Sequence, residues 1–312
     1  MTHPKITIVG AGNVGATSAL WAAARNLGDV CLVDVIPGLA EGKALDLAQA
    51  APIAGFSHKI AGSTDYAATA GSDLAIVTAG LARRPGMSRD DLLARNAEIV
   101  AGVVRQLVKA SPETILIIVS NPVDAMTSLA HKVSGLEPRR VVGMAGVLDS
   151  ARMRAFVARE AGVSPKDVQA FVLGGHGDSM VPLVRHSSIA GVPLAQVLSK
   201  EALDRIVERT RNGGAEIVAL LKTGSAFYAP AAAAVEMAQA ILRDEGRVLP
   251  CAAWCDSEYG VGGYFVGVPA RLGAGGVLDV LEFDLSPEER TAFDRSVQNI
   301  RGLVRQLDAL NV

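Results

Sequence analysis

Short β-branched, largely apolar runs alternate with helical stretches through the first half of the chain. The runs occupy residues 5–9, 30–33, 74–77, 115–119 and 140–142, and a spacing suited to amphipathic helices predicts helices over 14–26, 40–50, 90–110 and 124–133. The alternation of such runs with helical stretches argues for βαβ units and a parallel sheet, whose strands are buried on both faces. Beyond about residue 148 longer helices mix with glycine-rich strands, such as 169–173 and 260–267. The expected architecture is therefore α/β: a doubly wound parallel sheet over residues 1–145, followed by an α+β part over 146–312. No internal repeat or low-complexity linker separates the two. The boundary near 145 reads as a change of architecture inside one compact body.

Three motifs bring chemistry to this frame. Gly10-Ala11-Gly12-Asn13-Val14-Gly15 follows the first run and opens the first predicted helix. There the glycines serve a tight turn, a close backbone approach to a pyrophosphate, and close packing of helix on strand. Asp34 ends the second run, 19 residues after Gly15. From there a carboxylate accepts hydrogen bonds from adenosine ribose hydroxyls and repels a 2′-phosphate, so the cofactor expected is NAD, held by a Rossmann-type domain. Val119, Ser120 and Asn121, followed by Pro122, close the strongest apolar run of the first half, at a strand end suited to the nicotinamide side of such a crevice. An Asn-Pro turn without ligand would carry the same residues.

The second motif is GLARRPGMSR, residues 80–89, directly after the 74–77 run. It sets Arg83, Arg84 and Arg89 on a loop punctuated by glycine and proline. Guanidinium forks match carboxylate or phosphate oxygens two at a time, and a loop at a strand's carboxyl end lies where ligands bind. A lid over a small anion is expected, although a solvated surface loop has the same composition. In the third motif, Gly174-Gly-His176-Gly-Asp178, a histidine sits among glycines at a strand exit, where imidazole suits proton transfer near neutral pH. Asp149 and Arg152, three apart at a predicted helix start, project from one face. The carboxylate can orient the histidine while Arg152 grips a substrate carboxylate. A capping Asp with a simple i,i+3 ion pair is the alternative.

Taken in order and spacing, GAGNVG, Asp34, KALDL from Lys43, ARRPGMSRDDLL from Ala82, SNPVD from Ser120, GVLDSAR from Gly146 and GGHGD from Gly174 resemble the lactate/malate family of 2-hydroxyacid dehydrogenases. The resemblance covers essentially the whole chain. TGSAFYAPAAA from Thr223 and GVPARLGAGGV from Gly267 extend it toward the bacterial malate enzymes that lie closer in sequence to lactate dehydrogenase. It implies that His176 is the acid–base group, Asp149 its orienting carboxylate, and Arg152 the clamp on the carboxylate beside the reacting carbon. Arg89 would polarise the carbonyl oxygen, and Asn121 would hydrogen-bond substrate and cofactor. Asn96 matches a position that contacts NAD. Gly10, Ala11, Gly12, Asn13, Val14, Gly15, Asp34, Val119, Ser120 and Asn121 complete the implied cofactor site, and Ser225 the implied pocket lining. Ser120 is a departure, standing where related chains often carry Asn or Thr.

Arg83 occupies the position that discriminates substrates in this family, where lactate enzymes carry glutamine. A second carboxylate buried in a closed, dry pocket needs a partner, which Arg83 supplies, whereas pyruvate would leave the arginine unpaired. The implied reaction is the reversible NAD-dependent oxidation of L-malate to oxaloacetate, a step of the tricarboxylic acid cycle. Oxidation of L-lactate or another 2-hydroxy acid is the alternative. A Rossmann module that binds NAD without catalysis is more remote, because it has no need of His176, Asp149, Arg152 and Arg89 together. NAD-dependent glycosidases require a metal held by Cys and His, and no cysteine lies near His176 in sequence.

Composition narrows the partners. Lys+Arg 30 against Asp+Glu 32 gives a net charge of -2, so no global field favours nucleic acid or an anionic membrane. No apolar stretch approaches the roughly 20 residues that cross a bilayer, and the chain enters its first strand without a charged leader, so a cytoplasmic protein is expected. Cys31, Cys251 and Cys255 cannot all pair, and CAAWC is not a zinc signature; no metal is expected. The partners expected are a small-molecule substrate and, by resemblance, further copies of the chain in a homotetramer or homodimer. The alanine-rich stretches 39–51 and 229–240 suit either a partner subunit or the chain's own core.

Overall fold

The computed structural model describes residues 3–81, 89–310 and 312, with Arg89 described as backbone alone. The strands are β1 Lys5–Val9, β2 Asp29–Val33, β3 Ile60–Ser63, β4 Leu74–Val77, β5 Ile115–Ile118, β6 Val141–Gly143, β7 Val168–Gln169, β8 Val172–Leu173, β9 Val181–Pro182, β10 Ser188–Ile189, β11 Val192–Pro193, β12 Arg247–Cys255, β13 Tyr264–Gly273 and β14 Gly276–Val280. The helices are α1 Asn13–Ala24, α2 Leu39–Ala54, α3 Arg89–Ala110, α4 Val123–Ser134, α5 Gly146–Ala161, α6 Leu194–Val197, α7 Lys200–Leu221, α8 Tyr228–Leu242 and α9 Pro287–Ala309.

The first six strands are all parallel, in the order β3-β2-β1-β4-β5-β6. This is the doubly wound Rossmann arrangement. The winding reverses between β1 and β4, and their carboxyl ends part there to leave a crevice in which such folds hold ligands. Every residue of β4 (LAIV) and β5 (ILII) is buried, as expected for central parallel strands covered on both faces. Helix α3 covers the sheet with Leu93, Ala97, Val100, Ala101, Val104 and Leu107, a stripe of helical period. Strand β3, IAGS, has no apolar run and lies outside the sequence expectation. Its place at the sheet edge depends on Gly62, where a methyl would sit 2.2 Å from the Ala40 carbonyl of α2.

The second half takes a form that its residue pattern did not indicate. Strand β12 pairs antiparallel with β6 at Ala252 and Gly143, and β13 and β14 follow antiparallel, so the sheet has nine strands among the described residues. The expected strand at 260–267 starts later, at Tyr264, because Gly262 and Gly263 turn the chain with φ of 71° and 87°. The expected strand at 169–173 divides instead. Val168–Gln169 pairs with β10, and Val172–Leu173 pairs with β9 in a separate hairpin. Helix α8 buries Ala233, Ala234, Ala238 and Ala240 inside its own chain, in the same core as Ala19 and Ala22 of α1. Helix α2 buries only Ala40 and Ala44 and leaves Ile53 92% exposed.

Among the described residues no helix is long and apolar enough to cross a membrane. The three cysteines are buried and unbridged.

Candidate active site

The glycine motif lies at the carboxyl end of β1, where α1 begins. Gly10 has φ of 99°, a conformation that glycine alone adopts without strain, and a methyl there would meet the Thr78 hydroxyl at 2.7 Å. A methyl on Gly15 would lie 1.7 Å from the Gly10 carbonyl oxygen, so the first turn of α1 rests directly on the loop. Gly12 is different: a methyl there would meet nothing within 4 Å, and as N-cap it provides no side-chain cap. The amides of the first turn are thus left facing open space, a cradle for a pyrophosphate at the positive end of the helix dipole.

Asp34 reaches this loop from the end of β2. Its Oδ2 accepts from the Ala11 amide at 2.6 Å and its Oδ1 from the Ile36 amide at 3.0 Å. Each carboxylate oxygen retains further acceptor capacity for ribose hydroxyls. These residues fit a dinucleotide. Lys43 on α2 joins them by donating to the Ala11 carbonyl at 2.6 Å. Thr78, to which the sequence assigned nothing, donates to the Val9 and Gly10 carbonyls at 3.0 and 3.1 Å and so fixes the turn.

At the end of β5, Ser120 is buried and its hydroxyl donates to the Ala79 carbonyl at 2.5 Å. Val119 is buried beside it, whereas Asn121 is exposed. Asn96 stands on the inward face of α3, among the apolar residues that cover the sheet, and is buried itself. Its side chain accepts from the Leu81 amide at 2.7 Å and donates to the Asn121 carbonyl at 2.7 Å. It therefore joins the start of the arginine loop to the loop carrying Asn121. Arg83 and Arg84, with most of the expected lid, lie outside the described residues, as does the side chain of Arg89.

The expected acid–base residues are brought together by α5. Gly146 lets this helix start close against β8, since a methyl there would lie 2.4 Å from the Val172 carbonyl oxygen. Asp149 falls in the first turn, where the dipole favours a carboxylate. Its side chain is 2% exposed; Oδ2 accepts from His176 Nδ1 at 2.8 Å and Oδ1 from Arg152 Nη1 at 3.1 Å. One carboxylate thus holds both groups, and the i,i+3 ion pair coexists with the histidine contact. With Nδ1 donating to Asp149, the Nε2 of His176 remains as the atom for proton exchange.

Burial opposes a charge on His176, but the charge and hydrogen bond of Asp149, helped by Asp124, outweigh burial and the nearby Arg152 cation. Its pKa is raised above the usual imidazole value. The histidine loop is held from behind. Gly174, at φ 80°, donates to the Gly267 carbonyl at 2.8 Å, and Gly175 donates to Ser296 Oγ of α9 at 2.8 Å. The His176 amide donates to Asp124 Oδ2 of α4 at 2.9 Å. Asp124 and Ser296 were missed as site residues. The available signal was a polar residue inside an apolar helical stripe: Ser296 lies among Phe293, Val297 and Ile300, all buried.

Arg152 is 12% exposed and extends toward α7, where a methyl on Gly213 would lie 3.1 Å from its Cδ. It also borders a cavity of about 290 Å³ with Phe156, Ile217 and Leu220. Ser225 lies exposed between α7 and α8.

Comparison with known proteins matches this geometry to one family. The lactate/malate dehydrogenase NAD binding domain profile matches residues 4–143, and the lactate/malate dehydrogenase alpha/beta C-terminal domain profile matches 146–309. The chain is 58% identical over 312 residues to a malate dehydrogenase of Rhodopirellula baltica, covering 99% of each. The fold superposes on the malate dehydrogenase of Salinibacter ruber with a TM-score of 0.95 at 48% identity, covering 98% of both chains. It superposes equally on a lactate dehydrogenase of Cryptosporidium parvum solved with lactic acid and nicotinamide adenine dinucleotide, at TM-score 0.96, 42% identity and 99% coverage of both chains.

Proposed function

The chain belongs to the lactate/malate dehydrogenase family, and on that basis we propose that it is an NAD-dependent malate dehydrogenase, which oxidises L-malate reversibly to oxaloacetate. The observation that carries the dehydrogenase reading is the Asp149 bridge, a single buried carboxylate holding an imidazole and a guanidinium side by side, and malate is preferred to lactate on Arg83 and on the 58% identity to a malate dehydrogenase. Neutral His176 takes the hydroxyl proton of malate at Nε2, and the protonated ring returns it to the carbonyl oxygen of oxaloacetate. Bound NAD supplies the acceptor for the hydride released from C2. Arg152 grips the carboxylate next to C2 as a forked pair, and Asn121 hydrogen-bonds the substrate oxygen. Arg89 stabilises the charge developing on that oxygen, and Arg83 neutralises the second carboxylate; both assignments rest on the resemblance in sequence.

For the cofactor, Gly10, Ala11, Gly12, Asn13, Val14 and Gly15 form the pyrophosphate turn and Asp34 takes the ribose. Val119, Ser120 and Asn121 line the nicotinamide side, and Asn96 acts there by holding the Asn121 main chain. Residues 1–145 form the NAD-binding domain, which also brings Arg83, Arg89 and Asn121 to the substrate, and 146–312 form the catalytic and substrate domain. The protein works in the cytoplasm as a homo-oligomer. The apolar residues Leu45 and Ile53, exposed on α2, support the association.

The test is NADH consumption with oxaloacetate and with pyruvate. Oxaloacetate should be strongly preferred, and Arg83→Gln should lower its kcat/KM by roughly 100-fold or more, on the scale of a broken buried charge pair. A wild-type preference for pyruvate would make this a lactate enzyme. Tight NADH binding with neither substrate reduced would make it a binding module.

A further inference from the structure

One buried carboxylate has no part in the chemistry just described. Asp124 lies in the first turn of α4, three residues after Asn121, and is 4% exposed. Its Oδ2 accepts from the His176 amide at 2.9 Å, while its Oδ1 has no hydrogen-bond partner among the described residues. A half-satisfied carboxylate in the interior is costly, and an asparagine would accept from the same main-chain amide without burying a charge. The residue is therefore explained by what it does to its neighbour.

We propose that Asp124 is a positioning residue for the proton-transfer step: it holds the main chain of His176 while Asp149 holds the ring, and it sets a second negative charge beside the imidazole. The inference rests on the reading of His176 as the acid–base group. It also ties the histidine loop to the helix that begins just after Asn121, so the proton-exchanging group and the nicotinamide side of the crevice share one support. The geometry leaves little slack. A methyl on Gly175 would lie 3.3 Å from Asp124 Oδ2 and 3.4 Å from both Ile300 and Ser179. The charged groups facing the pair are Asp149 and Arg152 of α5; α9 brings Ser296 and Ile300, neither of them ionisable. Burial lifts the Asp124 carboxyl to about 6, with Asp149 adding to the rise and the His176 contacts opposing it.

Two substitutions separate the two effects. Asp124→Asn retains an oxygen for the His176 amide and removes the charge. Asp124→Ala removes both. Oxaloacetate reduction needs the imidazolium, so its kcat/KM falls as pH rises through the His176 pKa. In Asp124→Asn that fall should begin at lower pH, and the His176 ring resonances of the apo protein should titrate lower as well. In Asp124→Ala, kcat should drop by roughly 10- to 100-fold through misplacement of the ring, with NADH affinity maintained.

The inference is overturned if His176 titrates in Asp124→Asn where it does in the wild type, or if Asp124→Ala keeps the wild-type kcat. If neither variant folds, the wild type decides: the carbon-13 resonance of the Asp124 carboxyl must show a second inflection that tracks the His176 ring, and a curve blind to the ring refutes the proposal. A wild type that fails to reduce oxaloacetate would instead defeat the assigned reaction, and the ring titration in the apo protein would still judge Asp124.

Discussion

Replacing Asp149 with asparagine keeps the side chain's shape and removes the charge on which two cations depend. The carboxylate lies 2.8 Å from His176 Nδ1 and 3.1 Å from Arg152 Nη1, and at 2% exposure solvent cannot take its place. With an effective dielectric constant near 20, each contact has a Coulomb scale of about 5–6 kcal/mol. Desolvation offsets part of this, and breaking one buried pair leaves a net loss of about 3–5 kcal/mol. At 1.36 kcal/mol per decade, kcat/KM for oxaloacetate should fall roughly 200- to 5000-fold. An amide that presents its NH₂ to Nδ1 would also favour the tautomer with its proton on Nε2, the wrong one for accepting a proton from malate.

The pH dependence follows from the sign of the shift. Asp149 raises the His176 pKa, so in the wild type oxaloacetate reduction persists up to that raised value and malate oxidation develops above it. In Asp149→Asn both limbs should move to lower pH. Initial rates of NADH consumption and formation, followed across the neutral range, measure this directly. A variant that stays within about threefold of the wild type, with its breaks at the same pH, would refute the assignment of Asp149.

Two further outcomes are expected. Asp34→Ser removes the charge that repels a 2′-phosphate and should raise the NADPH to NADH ratio of kcat/KM by roughly 10-fold or more, on the scale of one lost charge contact; an unaltered ratio would remove Asp34 from the ribose site. In Gly267→Ala the new methyl would fall 2.2 Å from the Gly174 carbonyl oxygen and push the histidine loop out of place. Its kcat should fall roughly 10- to 100-fold with NADH binding by fluorescence little affected, and normal turnover would show that the loop tolerates displacement.

Five of the six parallel strands, and the helices between them, were legible because each is apolar on the face, or faces, that it buries. The runs at 74–77 and 115–119 correspond to β4 and β5 within one residue, and 90–110 to α3 within one residue. Strand β3 was not legible, since IAGS owes its position to a gap that only Gly62 fits rather than to hydrophobicity. Strand β12 carries the apolar run Leu249–Ala253, but nothing in its pattern says that Ala252 joins the edge of β6. In the site, the glycines, Asp34, Asp149, Arg152 and His176 stand in motifs whose spacing has a physical use. Asp124 and Ser296 act through backbone amides of a loop far away in sequence, a relation visible only once α4 and α9 converge on it.

The pairing of β12 with β6 bears on how the molecule meets its ligands. A catalytic half hung from a hinge would have to swing shut before imidazole and dinucleotide cradle faced each other, and would lose orientational freedom with each capture. Here the glycine turn stands on β1 of the nine-stranded sheet, and the histidine loop, which follows β8 of the separate hairpin, is tied to β13 of that same sheet by the Gly174 amide and the Gly267 carbonyl. Such a frame is preorganised, and the ordering it requires was completed during folding instead of being charged to each turnover.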